Sequence, residues 1–539
     1  MGQTVSAERS LPHTISIPGH GLLTGYLLRS SSGNITSYRY GNVPYAVPQG
    51  ACGRFKKPVP IPGSYDLTGD YYDLGLKCPQ PAVENPVFNY VKSPSTEDVQ
   101  YVNIWVPSSD KYKPAAGWPV LVYIHGGWLQ YGTPSLEIFN ISDLHDDEEL
   151  QKKFILVSVG YRLNIFGFLS SKELLEEDEE SANFGFWDQR LALEWTYKYI
   201  KYFGGNPQQI TLAGLSAGAY STFFQLTYEL YHPEVPQIIK QAVLFSNTPL
   251  SQPKTIDESQ AQFDEVIDKL GIDKTLSGLE KLISLRKLDS DYLEGFIPSL
   301  QQHTFRAVSD GKFVPFGFIR DLTTGEYARK LTKKQFRFIS GEVDNEQYTY
   351  SLMYSPTTIE NLKIQVNNYY PENVARKLLE LYVDESLNEK DPDFIEKVTS
   401  LYGKIISDGQ VYVSSRGFLN QLVKNGFPLS RIFRYRVSYR PKCVDNLIAK
   451  EHKVPHGVDT YVWFYPLREG FSEKERTSVR NWIQPYIEFL SYEEAFDWDN
   501  SDLKKLKYFR DDGAIEYLED SRWDWSIKVA DAVYEVQLE

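Results

Sequence analysis

Ile210-Thr211-Leu212-Ala213-Gly214-Leu215-Ser216-Ala217-Gly218 is the stretch on which the fold turns. Ile210–Ala213 is short and apolar without alternation, as a strand covered on both faces should be. Residues 219–228 then carry a plausible helix. Between them Gly214–Gly218 has the spacing of a nucleophile elbow, a tight turn that lifts a serine into a strained, exposed position. The flanking glycines admit neighbouring backbone, and Ala217 keeps the space beside the hydroxyl small. Five residues of this pattern fix only three identities, so the strand before and the helix after are what make the motif specific.

Further candidate buried strands lie at Val120–Ile124, Ile155–Val159, Ala242–Phe245, Phe336–Ile339 and Ile432–Val437. Helical stretches separate them. Asp188–Phe203 sets Leu191, Trp195 and Tyr199 at four-residue spacing and closes on Gly204-Gly205, and Ser472 with Glu475 forms a capping box ahead of Val479 and Ile483. Strands alternating with helices predict a mainly parallel sheet flanked by helices, an α/β class. No solenoid-period repeat and no Pro- or Gly/Ser-rich linker divides the chain, so residues 1–539 read as one elaborated domain with helical insertions.

The chain's 71 acidic against 57 basic residues give a formal charge of −14. That balance argues against nucleic-acid partners, which need a basic surface, and against docking on anionic lipid. Mean hydropathy is −0.40, and no apolar run is long enough to span a bilayer. The three cysteines, Cys52, Cys78 and Cys443, are too few and too scattered for a disulfide framework or a structural zinc site. With no secretory signal at the amino terminus, a cytoplasmic location is the expectation. Gly2 and Ser6 fit the loose myristoylation pattern, for which a chance match is the simpler account. The sequons at Asn34 and Asn140 matter only for a secreted chain.

A serine nucleophile needs donors for a developing oxyanion. His125-Gly126-Gly127-Trp128 follows the strand Val120–Ile124, so backbone N–H groups of Gly127 and Trp128, with that of Ala217, are the candidates. A base following the serine in chain order leaves His232, His303, His452 and His456. His456, in the Val454–Gly457 loop, is preferred, since loops at strand ends carry such groups. His452 and His456 have the spacing of a helical metal pair, but Pro455 and Gly457 oppose a helix, and no metal is expected. The acid belongs after the strand Phe336–Ile339, where Glu342, Asp344 and Glu346 all qualify and spacing does not choose among them.

With these residues in place, the chain resembles the type-B carboxylesterase/lipase family, which includes cholinesterases and fungal triacylglycerol lipases. The resemblance covers nearly the whole chain. It rests on Tyr40-Gly41-Asn42-Val43-Pro44-Tyr45-Ala46, Glu97-Asp98, Asn103-Ile104-Trp105-Val106-Pro107 and Tyr161-Arg162-Leu163. Further on it rests on Asp188–Leu193, Phe203–Pro207, Asp310-Gly311 and His456-Gly457-Val458-Asp459. It implies an α/β-hydrolase fold and a cofactor-free serine esterase with the triad Ser216, Glu346 and His456, the glutamate of Asn345-Glu346 being the acid. A small-molecule ester is the implied partner. The alternatives are a lipase on long acyl chains and a non-catalytic binding member of the family.

Three departures from the family pattern matter. Trp128 stands where a third glycine is usual, which narrows the pocket and demands that a tryptophan tolerate the loop's backbone geometry. Leu215 replaces a frequent glutamate, and no tryptophan occurs between Cys78 and Val99; both oppose a cholinesterase, whose cation site is aromatic. Finally, Val99 stands at the position of the second lid-loop cysteine, so Cys78 has no disulfide partner there and the loop 79–98 is expected to move over the site.

Overall fold

The computed structural model describes residues 11–84, 87, 89–90 and 92–538. Gly2 and Ser6, with the acylation pattern, lie outside them, as do four positions of the 79–98 loop. Among the described residues, thirteen strands form one sheet. Its main path is β1 (Pro12–Ile17), β2 (Gly21–Arg29), β3 (Ile35–Pro44), β4 (Tyr101–Pro107), β5 (Trp118–Ile124), β6 (Ile155–Val159), β7 (Gly205–Leu215), β8 (Gln241–Phe245), β9 (Phe338–Val343), β10 (Ile432–Val437), β11 (Lys505–Phe509) and β12 (Ile515–Glu519). In space the order is β1-β2-β3-β4-β6-β5-β7-β8-β9-β10-β11-β12, and Gly69–Asp70 pairs with β2. From β6 to β11 every neighbour is parallel. Seven strands therefore point their carboxyl ends the same way, and that edge is where the loops of interest gather.

The non-alternating apolar runs are explained by the two cores. Val120, Val122 and Ile124 of β5 pack on one face of the sheet, while Leu121 and Tyr123 pack on the other. Likewise Ala242 and Leu244 of β8 face one core, and Val243 and Phe245 the other. The first core is closed by α1 (Phe184–Tyr199) and α2 (Ala217–Tyr231), through Leu193, Trp195, Phe223 and Phe224. The second takes Val479, Trp482, Ile483 and Tyr486 of α4 (Glu473–Leu490), which starts at the expected Ser472–Glu475 capping box. Each such side chain contributes roughly 1.5–3 kcal/mol by leaving water.

Boundaries shift where tertiary pairing overrides local pattern. The strand expected at Phe336–Ile339 instead spans Phe338–Val343, because β10 continues to pair with it through Glu342↔Arg436 and Val343↔Val437. Gly341 and Glu342 thus belong to the strand, not to the loop beyond it. The helix expected over Asp188–Phe203 begins four residues earlier, at Phe184. It tightens to a 3₁₀ turn at Ile200–Phe203, and Gly204 ends it at φ 81°. No helix among the described residues is long and apolar enough to cross a membrane.

All three thiols are unpaired. Cys78 is buried, its thiol pushed up by burial, and its Sγ accepts the Leu163 N–H at 3.4 Å. The roots of the loop 79–98 are tied without a disulfide. Lys77 bridges to Ser95, and the Thr96 N–H donates to the Lys77 carbonyl at 2.9 Å. The Gln80 side chain donates to the Cys78 and Gly132 carbonyls and accepts the Gly132 N–H at 2.8 Å.

Candidate active site

β7 runs into α2 through Ser216 alone, at φ 58° and ψ −122°. A non-glycine residue there stores of order 1–3 kcal/mol of strain. The surroundings impose it: the Ser216 N–H donates to the Phe245 carbonyl at 2.8 Å, and the Ser216 carbonyl accepts the Tyr220 N–H at 3.0 Å. Both glycines of the motif are sterically required. A Cβ on Gly214 would sit 2.2 Å from the Gly218 carbonyl, and one on Gly218 would sit 1.9 Å from that of Ile124. The elbow is therefore pressed onto the end of β5.

The loop leaving β5 returns that contact. A Cβ on Gly126 would lie 2.6 Å from the Leu215 carbonyl and 3.1 Å from the Ser216 Cβ. Gly127, Trp128 and Leu129 follow with φ of 111°, 59° and 66°. The left-handed run is closed by the Gln130 and Tyr131 N–H groups, which both donate to the Gly127 carbonyl at 2.8 Å. Trp128 thus tolerates the geometry that its place in the sequence demands, with its indole edge-on to Tyr350 at 6.0 Å. Among the described residues nothing accepts from the N–H of Gly127 or Ala217. His125 is not a candidate base: burial pushes it down to about 4, and its Nδ1 meets the Gly126 carbonyl at 2.8 Å.

Glu346 opens α3 (Glu346–Ser351), three residues past β9. Its Oε2 meets His456 Nδ1, and its Oε1 accepts the Val343 N–H at 2.9 Å. The two loops are docked by Asn345, whose N–H donates to the Val454 carbonyl at 3.2 Å and whose Nδ2 donates to that of His452 at 3.0 Å. The Tyr412 hydroxyl binds the Val343 and Asp344 carbonyls and accepts the Glu346 N–H at 3.1 Å. Imidazole Nδ1 is thereby committed to the carboxylate. Nε2 is buried and has no partner among the described residues.

The other candidates separate cleanly. Glu342 points into an arginine cluster, and Asp344 is half-buried with its carboxylate 3.4 Å from the Tyr508 hydroxyl. His452 stacks on Tyr348 at 3.7 Å, His303 on Tyr354 at 3.7 Å, and His232 pairs with Glu234. Among the described residues no group of three or more His, Cys, Asp or Glu side chains is placed to hold a metal.

Two residues around the site were not singled out by sequence reasoning. Tyr350 is buried, with its ring 4.9 Å from that of His456 and edge-on to the Trp128 indole; nothing local distinguishes it from Tyr348. Asp459 is buried, accepts Trp463 Nε1 at 2.9 Å, and is pushed up to about 7 by burial, with the Glu346 charge adding to the rise. It had a signal, being the last residue of His456-Gly457-Val458-Asp459.

Comparison with known proteins gives a consistent picture. A sequence model described as the carboxylesterase family matches residues 12–513. An uncharacterized esterase/lipase of Schizosaccharomyces pombe is 44% identical over 540 residues, covering 97% of each chain. A carboxylic ester hydrolase of Gibberella moniliformis is 35% identical over 514 residues, covering 93% of this chain and 92% of its own. An acetylcholinesterase of Gallus gallus is 32% identical over 248 residues, 45% of this chain and 30% of its own.

Proposed function

The chain belongs to the carboxylesterase family, with its α/β-hydrolase fold and carboxylic ester hydrolase activity, and from that premise we propose a triad of Ser216, His456 and Glu346. The observation that carries it is the Glu346–His456 contact at the carboxyl edge of the sheet that also bears the strained Ser216.

Neutral His456, its Nδ1–H directed at Glu346, takes the Ser216 proton on Nε2 as Oγ adds to the ester carbonyl. The N–H groups of Gly127, Trp128 and Ala217 receive the oxyanion. Collapse expels the alcohol with the proton from Nε2, leaving an acyl-serine, and water then repeats the sequence in reverse to release the acid. The chemistry asks for no cofactor. The three unpaired thiols support an intracellular setting as part of this proposal.

Ser216→Ala is the direct test. Hydrolysis of p-nitrophenyl esters should fall to background while the melting temperature holds, and undiminished turnover would overturn the assignment. A panel graded by acyl length and alcohol bulk reads the pocket: with Trp128 at the oxyanion turn, bulky acyl groups and tertiary-alcohol esters should be the poorest substrates.

A further inference from the structure

One side-chain layer from Ser216, on the side of α2, a cleft is lined by Tyr220, Thr248, Lys254, Arg306, Tyr369 and Gln410, and by no acidic residue. Among the described residues its two cations lack carboxylate partners. Arg306 lies between the rings of Tyr220 and Tyr369, 5.4 and 5.1 Å from their centroids, and its Nη2 donates to Gln410 Oε1 at 3.3 Å. Neither Arg306 nor Lys254 forms an ion pair among the described residues. Burial pulls Lys254 down to about 8, Glu258 opposing the fall and Arg306 adding to it. In a chain of charge −14, two neighbouring cations without an acid between them are an unusual arrangement, because charges withdrawn from water are normally paired.

The cleft is built as well as charged. Gln410 sits in a π-helical turn, Asp408–Tyr412, a feature common at functional sites. It is fixed by donating to the Tyr370 hydroxyl at 2.8 Å and accepting Asn247 Nδ2 at 3.2 Å. Thr248 Oγ1 is fully buried there with no partner among the described residues. The cleft also abuts the catalytic corner. Tyr220 is the residue whose N–H caps the Ser216 carbonyl.

We propose that Arg306 and Lys254 form an anion subsite of the esterase, and that the enzyme selects esters bearing a free carboxylate. This deepens the esterase reading and rests on it. The planar guanidinium, held against two rings, suits a carboxylate, with the Lys254 ammonium as the second donor. Hydrolysis of such an ester adds water across the acyl C–O bond and releases an alcohol and an acid, one of them carrying the second carboxylate.

The test compares matched pairs: p-nitrophenyl hemiglutarate against p-nitrophenyl valerate, and 4-acetoxybenzoate against its methyl ester. The first pair carries the charge on the acyl side, the second on the alcohol side. In one pair, the charged-to-neutral ratio of kcat/KM should fall at least about tenfold in Arg306→Gln and less in Lys254→Gln. In the wild-type enzyme the same ratio should decline as salt is raised. Ratios that are the same in wild type and in both folded variants, and indifferent to salt, overturn the subsite and leave the esterase reading standing. If wild type cleaves neither member of either pair, the esterase reading fails instead. Glutarate then decides the subsite alone, through a thermal shift that Arg306→Gln abolishes; no shift, or one unchanged in the variant, overturns it.

Discussion

Glu342 and Glu346 lie four residues apart, one in β9 and one at the start of α3, and both are buried. The first is ringed by cations. Arg416 and Arg436 approach its oxygens at 2.7 Å, Arg522 follows at 3.5 Å, and Asp520 completes the cluster by binding Arg416, Arg434 and Arg436. Burial favours its neutral form, but the arginines outweigh burial and hold it down to about 2. Among the described residues the second touches no cation: it faces the neutral imidazole and is held otherwise by one backbone N–H. One segment thus builds a closed ionic clamp and an open relay side by side. The clamp fixes β9 against β10 and the final helix region, while the relay keeps one imidazole nitrogen uncommitted.

The contrast predicts opposite phenotypes for the same chemical change. Glu346→Gln should cost on the order of 10⁴-fold in kcat, because an amide does not hold the Nδ1–H tautomer, with little change in melting temperature. Glu342→Gln should keep kcat per folded molecule and lose about 3–5 kcal/mol of stability, since it strands Arg416 and Arg436 without their partner. Steady-state kinetics beside denaturant unfolding separates the two. If Glu342→Gln removed activity without stability, the division between clamp and relay would be wrong. The clamp also fixes a sign with pH. Its folded pKa lies below the unfolded 4.5, so the stabilisation is complete above about 4.5 and is lost as pH falls through about 2.

Asp459 sharpens the comparison from the other side, because it is a buried carboxylate beside the relay with no cation to match. Its folded pKa near 7 exceeds the ordinary 3.8. Between those values the folded state holds one proton more than the unfolded chain, so stability declines as pH rises, by at most about 1.4 kcal/mol for each pH unit. Asp459→Asn keeps an acceptor for Trp463 and should flatten that decline, melting higher than wild type at pH 8 and not at pH 4. Parallel melting curves across this range would place the lost proton elsewhere.

The elbow was legible in the chain because its determinants are local: glycines at 214 and 218, a strand before and a helix after. The parallel strands were legible too, since burial on both faces leaves continuous apolar runs such as 120–124. What local pattern did not carry was the fate of Glu342. Its removal from the loop depends on β10 extending to Val437, and its burial on Arg416, which is 74 residues away in sequence. Tyr350 was illegible for the same reason, as its place against His456 and Trp128 comes from the packing of α3. Asn345 carried no separate signal beyond preceding Glu346, and its docking of the two loops needs the position of Val454.

Asp344, between the two glutamates, gives the smallest effect and the finest discrimination. It shares their chemistry and segment, but its side chain reaches neither His456 nor a close cation. Burial pushes its carboxyl up, and Arg436 and Arg522 act from a distance to oppose this. A group whose folded pKa lies above its unfolded value does not stabilise the fold in its charged form. Replacing it by an amide of the same shape therefore removes little: Asp344→Asn should leave kcat within about threefold and stability within about 0.5 kcal/mol. Paired with Glu346→Gln in one assay, it converts a choice among three neighbouring carboxylates into a single measured ratio. A large loss of kcat in Asp344→Asn, with Glu346→Gln active, would move the relay by two residues and with it the tautomer argument for His456.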